Sequence, residues 1–204
     1  MKKKLVYRFR IELEEIEPLI WRTIEVPSMY SFWDLHVAIQ DSMGWLDYHL
    51  HSFSILPRRK RKPVVIGIPA AEYEEEISAG WEVPLNEYFK EPGDEARYEY
   101  DFGDGWIHRV LMEGILLAEE HKQYPSCDGG ERACPPEDCG GIPGYYHLLE
   151  VLAGKHSSEY EDMNEWLKGH AKNYYPYDPA KFDSKSIKFW NPKKRWKMAF
   201  EGES

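Results

Sequence analysis

Three thiols fall within one short stretch. Cys127, Cys134 and Cys139 are all of the chain's cysteines, and they sit in a segment rich in proline and glycine. Thiolates suit a soft or borderline ion such as zinc, which takes four ligands in a tetrahedron. The intervals are six and four residues, not the paired Cys-x-x-Cys of zinc knuckles. A fourth donor would have to come from outside the stretch. His147 is nearest in sequence, and His121, His108 or a water are alternatives. The competing reading makes the cysteines small apolar residues in a loop packed by its own prolines. In that reading their sulfurs are buried singly. Zinc is thus an option and not a requirement.

A second set is His49, His51, His108, Asp101 and Asp104. His49 and His51 alternate, so on a strand they share a face and could chelate an ion. Asp101 and Asp104 flank a turn, with His108 shortly after it. Together the five could form a His/Asp site for metal-assisted hydrolysis. The plainer expectation is histidines that are solvated or bonded to a neighbour. Glu137 and Asp138 follow two prolines and could act as ligands, acid/base groups, a helix cap or ion-pair partners. Asp101-Phe102-Gly103 matches a kinase tripeptide. No glycine-rich loop or catalytic His-Arg-Asp accompanies it, so that reading fails.

Basic residues cluster at Lys2 to Lys4, at Arg58, Arg59, Lys60, Arg61 and Lys62, and at Lys193 to Lys197. On one face they could bind phosphates, with Trp190 and Trp196 stacking on bases. The alternative is solvated loops and termini balancing acids such as Glu72 to Glu76. The balance of the chain supports the alternative: 26 basic against 36 acidic residues give a net charge of -10. Proteins that coat nucleic acid normally carry the opposite excess. An unidentified protein is therefore the expected partner, with nucleic acid an alternative through Arg58 to Lys62.

The elements that must hold these residues follow from periodicity. Leu5, Tyr7, Phe9, Ile11 and Leu13 alternate with polar residues and predict a strand. A turn ending at Pro18 leads to a second strand over 19–26, which makes a hairpin. Ser31 is an N-cap candidate supported by Asp34, and Phe32, Leu35, Ile39 and Met43 form the helical stripe. Gly44 closes that helix and a strand over 49–56 follows. The order is β-β-α-β, compatible with a β-grasp core. Tyr98 to Val110 predicts a hairpin turning at Gly103-Asp104-Gly105. Tyr124 to Gly144 has four prolines and five glycines in 21 residues and is expected to be an ordered loop with no regular element. Helices are predicted from about Pro143 to Ala153 and from Ser157 or Ser158 to about His170. The fold class is therefore α+β: a mixed or antiparallel sheet, a β-grasp-like N-terminal half, and helices packed on one side.

Length and composition bound the rest. The 204 residues fit one domain: a β-β-α-β unit over 1–56, the hairpin over 97–117, the cysteine loop over 124–144 and a helical part over 143–204. Apolar residues make up 42%, enough to fill a core, and 15% aromatics argue against disorder. No apolar run is long enough to span a bilayer, and Met-Lys-Lys-Lys leads directly into strand, unlike a secretory signal. A cytoplasmic protein without disulfides or membrane contact is the expectation.

Four segments carry a resemblance. They are Pro18-Leu19-Ile20-Trp21-Arg22; Asp34-Leu35-His36 through Met43-Gly44-Trp45 to His49-Leu50-His51-Ser52-Phe53; Tyr100-Asp101-Phe102-Gly103-Asp104 with Trp106 and His108; and Cys127-x-x-Gly130 with Ala133-Cys134-Pro135-Pro136-Glu137-Asp138-Cys139-Gly140-Gly141 and Gly144-Tyr145. From about Leu5 to Asp183 the chain resembles the plasmid pRiA4b ORF-3-like family. The resemblance implies an association with plasmids and insertion elements, where some members carry a resolvase label. It supplies no reaction, substrate or catalytic residue. The activated serine, arginine ring and basic tail of a serine recombinase are not found in this sequence. A non-catalytic binding or regulatory module is the resulting expectation, with a metal-dependent hydrolase and a DNA-contacting accessory protein as alternatives.

Overall fold

The computed structural model describes residues 4–57, 62–69, 77–154 and 157–202. Lys2 and Lys3, Arg58 to Arg61 and Glu72 to Glu76 lie outside these residues. One mixed sheet of eight strands runs in the order β5-β4-β3-β6-β7-β1-β2-β8. Its strands are β1 Leu5–Leu13, β2 Ile20–Pro27, β3 His51–Ile55, β4 Val64–Gly67, β5 Ile77–Ala79, β6 Glu95–Tyr100, β7 Trp106–Leu117 and β8 Ser126–Glu131. The helices are α1 Phe32–Met43, α2 Gly141–Ala153, α3 Ser158–Gly169 and α4 Pro192–Phe200. All strand pairs are antiparallel except β4 with β5. The β-β-α-β order is kept, and in space the β6–β7 hairpin stands between β3 and β1.

The expected alternation sets the two faces of the sheet. Tyr7, Phe9, Ile11 and Leu13 point into the core with Ile20, Ile24 and Val26 of β2. Phe32, Leu35, Ile39 and Met43 of α1 pack on the same face. Phe9 meets Phe89, and Phe32 meets Phe53, at ring distances of 4.7 and 5.2 Å. The opposite face carries crossed charge pairs. Arg8 opposes Glu25 and bonds it at 2.6 Å, and Arg109 bonds Glu95 at 2.9 Å. Opposite charges paired across strands stabilise this polar face, where Glu25, itself buried, is bonded by both Arg8 and Lys122.

Ser31 caps α1 in a full capping box with Asp34, and Gly44 ends the helix at φ 90°. Tyr98 faces His108 and Tyr100 faces Trp106, so the predicted hairpin forms with residues 101–105 as its turn. The cysteine segment differs from expectation. Six of its residues are strand β8, paired to the outer edge of β2. The unpaired edge of β2 supplies hydrogen bonds, and the glycines there let large side chains close in. A Cβ on Gly130 would stand 2.7 Å from the Phe182 ring. The C-terminal aromatic-basic stretch is α4, capped by Asn191 and begun by Pro192.

Candidate metal centre

Asp101 follows the last residue of β6 and opens the hairpin turn. Its N–H donates to Leu50 O at 2.9 Å, one step beyond the β3–β6 ladder. That bond sets the chain just before β3 beside the turn and brings His49 to Asp101. Asp101 has φ 55°. Its Oδ1 accepts from the N–H groups of Gly103 at 3.0 Å and Asp104 at 3.3 Å. This use of Oδ1 leaves Oδ2 to face His49 Nε2 at 3.6 Å.

Asp138 arrives from the other side on the Pro135-Pro136 segment. Its neighbour Glu137 is 1% exposed and is the anchor. One carboxylate oxygen of Glu137 accepts from the Tyr100 hydroxyl in a short hydrogen bond, and the other accepts from Leu46 N–H at 2.7 Å. Trp45 Nε1–H donates to Pro135 O at 2.9 Å. Burial, and then the Glu137 bond, push the Tyr100 hydroxyl far above its usual pKa, so it stays a donor. With Glu137 fixed inward, Asp138 is turned outward at φ 59°. Its Oδ1 lies 3.0 Å from His49 Nε2. His170, after α3, brings Nε2 to 3.7 Å from Asp138 Oδ2.

Among the described residues, His49, Asp101 and Asp138 are the one group of three or more His, Cys, Asp or Glu donors whose ligand atoms all lie within 4.8 Å of one another. Their separations from His49, 3.0 and 3.6 Å, bracket the roughly 3.4 Å edge of a tetrahedron with about 2.1 Å arms. One imidazole and two carboxylates suit zinc, iron or manganese better than a soft thiophilic ion. Both aspartates hold a left-handed backbone, which aspartate adopts more readily than most residues other than glycine.

The remaining sequence candidates go elsewhere. His51 points into the core, 2% exposed, and stacks on His36 with ring centres 3.4 Å apart. It does not share a strand face with His49, because β3 begins at His51 and His49 precedes the strand. His108 is fully buried between Trp45 and Tyr98, and burial lowers its pKa to about 3. Asp104 Oδ2 accepts from Gly140 N–H at 3.2 Å and ties the turn to the start of α2. Gly141 passes so close to Asp104 that a Cβ would meet its carbonyl oxygen at 2.5 Å, and its φ of 65° also requires glycine. The five residues therefore do not form one pocket.

Nor do Cys127, Cys134, Cys139 and His147 form a donor group among the described residues. Cys127 lies on β8 and its thiol donates to Gly129 O at 3.3 Å. Cys134 is buried and Cys139 half-buried. Burial raises all three thiols, Cys134 to about 12. His147 is on the surface, 3.0 Å from Glu159. Asp138 was visible in sequence as half of a carboxylate pair locked by prolines. His170 carried no signal, since it meets Asp138 only through the packing of α3.

Fold and constellation define an α+β protein with a mixed sheet and a His/Asp group where the β6–β7 turn meets the cysteine-proline segment. The chain belongs to the plasmid pRiA4b ORF-3-like protein family, whose model matches residues 5–186. A curated relative is "Uncharacterized protein y4hQ" of Sinorhizobium fredii (strain NBRC 101917 / NGR234), 31% identical over 162 residues, covering 79% of this chain and 80% of the relative. The crystal structure of a protein of unknown function, MM3350 from Methanosarcina mazei Go1, superposes with a TM-score of 0.80 at 39% identity, covering 92% of this chain and 100% of that one. The family and these relatives are proteins of unknown function, and no catalytic role is indicated for them.

Proposed function

We propose that this protein is a non-catalytic binding module organised by a divalent transition metal at His49, Asp101 and Asp138, with His170 close to the second oxygen of Asp138. The observation that carries the reading is the mutual approach of three donors from three separate segments, two of them aspartates in left-handed backbone. The ion would fasten the hairpin turn, the residues before β3 and the cysteine-proline segment to one another. A partner protein would then read the surface those three segments share.

The test is metal analysis and calorimetric titration of the full chain with zinc, cobalt and manganese. One equivalent bound per chain, lost in Asp138→Ala and His49→Ala, is the expected result. Stoichiometric binding that survives both substitutions, or no binding below millimolar metal, overturns it. A second reading, metal-assisted hydrolysis, draws on the same centre, because three protein ligands leave positions for water and substrate. It is separated by hydrolysis of an activated ester with and without added metal. A hydrolytic site built on all five of His49, His51, His108, Asp101 and Asp104 is not available to that reading, because His51 and His108 are packed in the core.

A further inference from the structure

A cavity of about 640 Å³ lies between the end of α1, the Ala133–Pro135 segment and the chain from 172 to 190. It is in the size range of small-molecule sites. Its charges are of two kinds. Each of its three carboxylates already accepts a backbone N–H: Asp41 from Trp190 at 2.7 Å, Asp178 from Ala180 at 3.0 Å and Asp183 from Lys185 at 3.0 Å. Its cations are Arg22, Lys172, Lys181 and Lys188, and neither Arg22 nor Lys172 is ion-paired: among the described residues no carboxylate lies within 4.0 Å of either.

Arg22 is 2% exposed. Its guanidinium donates to four carbonyls, those of Ser42, Trp21, Glu131 and Arg132, at 2.7 to 2.9 Å. A guanidinium has five N–H groups, so one remains, on Nη2. Four carbonyls satisfy hydrogen bonding but cancel no formal charge, and a buried charge without a counter-ion is costly. Desolvation lowers the pKa of Arg22 and also that of Lys172. The Cys134 thiol in the same cavity is held neutral by burial and cannot serve as counter-ion. The guanidinium carbon of Arg22 stands over the Phe182 ring, 4.1 Å from its centroid, and Tyr174, Tyr177 and Trp190 add aromatic wall.

We infer that this cavity binds a small molecule made of a planar ring carrying a carboxylate or phosphate, with the anion between Arg22 and Lys172 and the ring against the aromatic wall. The inference does not use the metal centre.

Isothermal titration of the full chain in the presence of EDTA separates the two questions. The probes are adenosine 5′-monophosphate and 4-hydroxybenzoate, with adenosine and phenol as their neutral counterparts. At least one anion is expected to saturate one site per chain, and its neutral counterpart to bind about tenfold more weakly or worse. Which anion binds distinguishes phosphate from carboxylate. Lys172→Met, on a side chain that still reaches solvent, is expected to lose about tenfold in affinity with an unchanged melting temperature. Arg22→Met risks the fold and is not needed. Equal binding of neutral and anionic probes overturns the inference. So does unchanged affinity in a folded Lys172→Met protein, or no saturable binding of either anion at millimolar concentration.

Discussion

At the scale of single residues, Glu137 does more for the candidate centre than any residue in it. Its carboxylate is buried, and both oxygens are used, by the Tyr100 hydroxyl and by Leu46 N–H. Those two bonds join β6 to the chain after α1, and they decide which way the next residue, Asp138, must face. Replacing Glu137 by alanine strands a buried hydroxyl and a backbone N–H. The expected cost is about 2–5 kcal/mol in urea unfolding, since each orphaned group contributes its desolvation penalty. A loss under about 1 kcal/mol would mean that water replaces the carboxylate. The sequence shows the pair Glu137-Asp138 but cannot say which acid turns inward. That choice depends on where Tyr100 and Leu46 lie, and both are distant along the chain.

At the scale of elements, α1 was the most legible part. Its stripe, cap and terminating glycine all follow from local chemistry, and the stripe meets the β1 face that alternation predicts. Ile39 is fully buried, so Ile39→Ala should cost about 2–5 kcal/mol in chemical denaturation. β8 was not legible, because glycine and proline lower strand propensity and only the free edge of β2 makes a strand there. The docking of α4 was also hidden. Arg195 bonds Asp47 Oδ2 at 3.0 Å and Leu46 O at 2.9 Å, and Trp33 Nε1–H reaches Pro192 O at 3.0 Å. Burial opposes ionisation of Asp47, but His36 and Arg195 beside it hold its pKa down to about 2. Arg195→Ala should therefore release α4 before the sheet, seen as faster hydrogen exchange over 192–200 with the sheet amides unchanged. Uniform acceleration across both would show instead that α4 is not a separate cooperative unit. The metal constellation was half legible. His49 and Asp101 could be paired from sequence, but Asp138 and His170 are brought in by tertiary packing.

At the scale of the whole molecule, charge decides two outcomes. With a net charge of -10 and Arg195 committed to Asp47, gel-shift assays at physiological salt should show no micromolar DNA binding. Trp196 is likewise packed against Trp81 and Phe200, not presented to bases. Steep salt-dependent retardation would contradict this. The second outcome is stability toward acid. Burial, with the neighbouring His36, holds His51 well below 6.5; burial, with a smaller push from Arg22, takes His108 to about 3. A histidine depressed in the folded state gives stability that is whole above 6.5 and lost as pH falls, because the unfolded chain takes up the proton first. Asp41 works the other way. Burial raises it from 3.8 to about 6, so between those values the folded state holds a proton that unfolding releases. Asp34 is raised too, also by burial. At pH 5 His108 gains a proton on unfolding and Asp41 returns one, while His51 adds uptake of its own. Stability should fall as pH drops from 6 to 4.5, by about 1.4 kcal/mol per unit for each net proton taken up, and more steeply near pH 4, where Asp47 joins the histidines. Asp41→Asn removes the offset and should steepen that slope by about one proton, whereas His108→Leu should flatten it by the same amount. Urea unfolding at half-unit steps from pH 4.5 to 7 measures all three slopes. If Asp41→Asn leaves the slope unchanged, Asp41 is ionised in the folded protein across this range, and the burial that sets it against the histidines does not act as described.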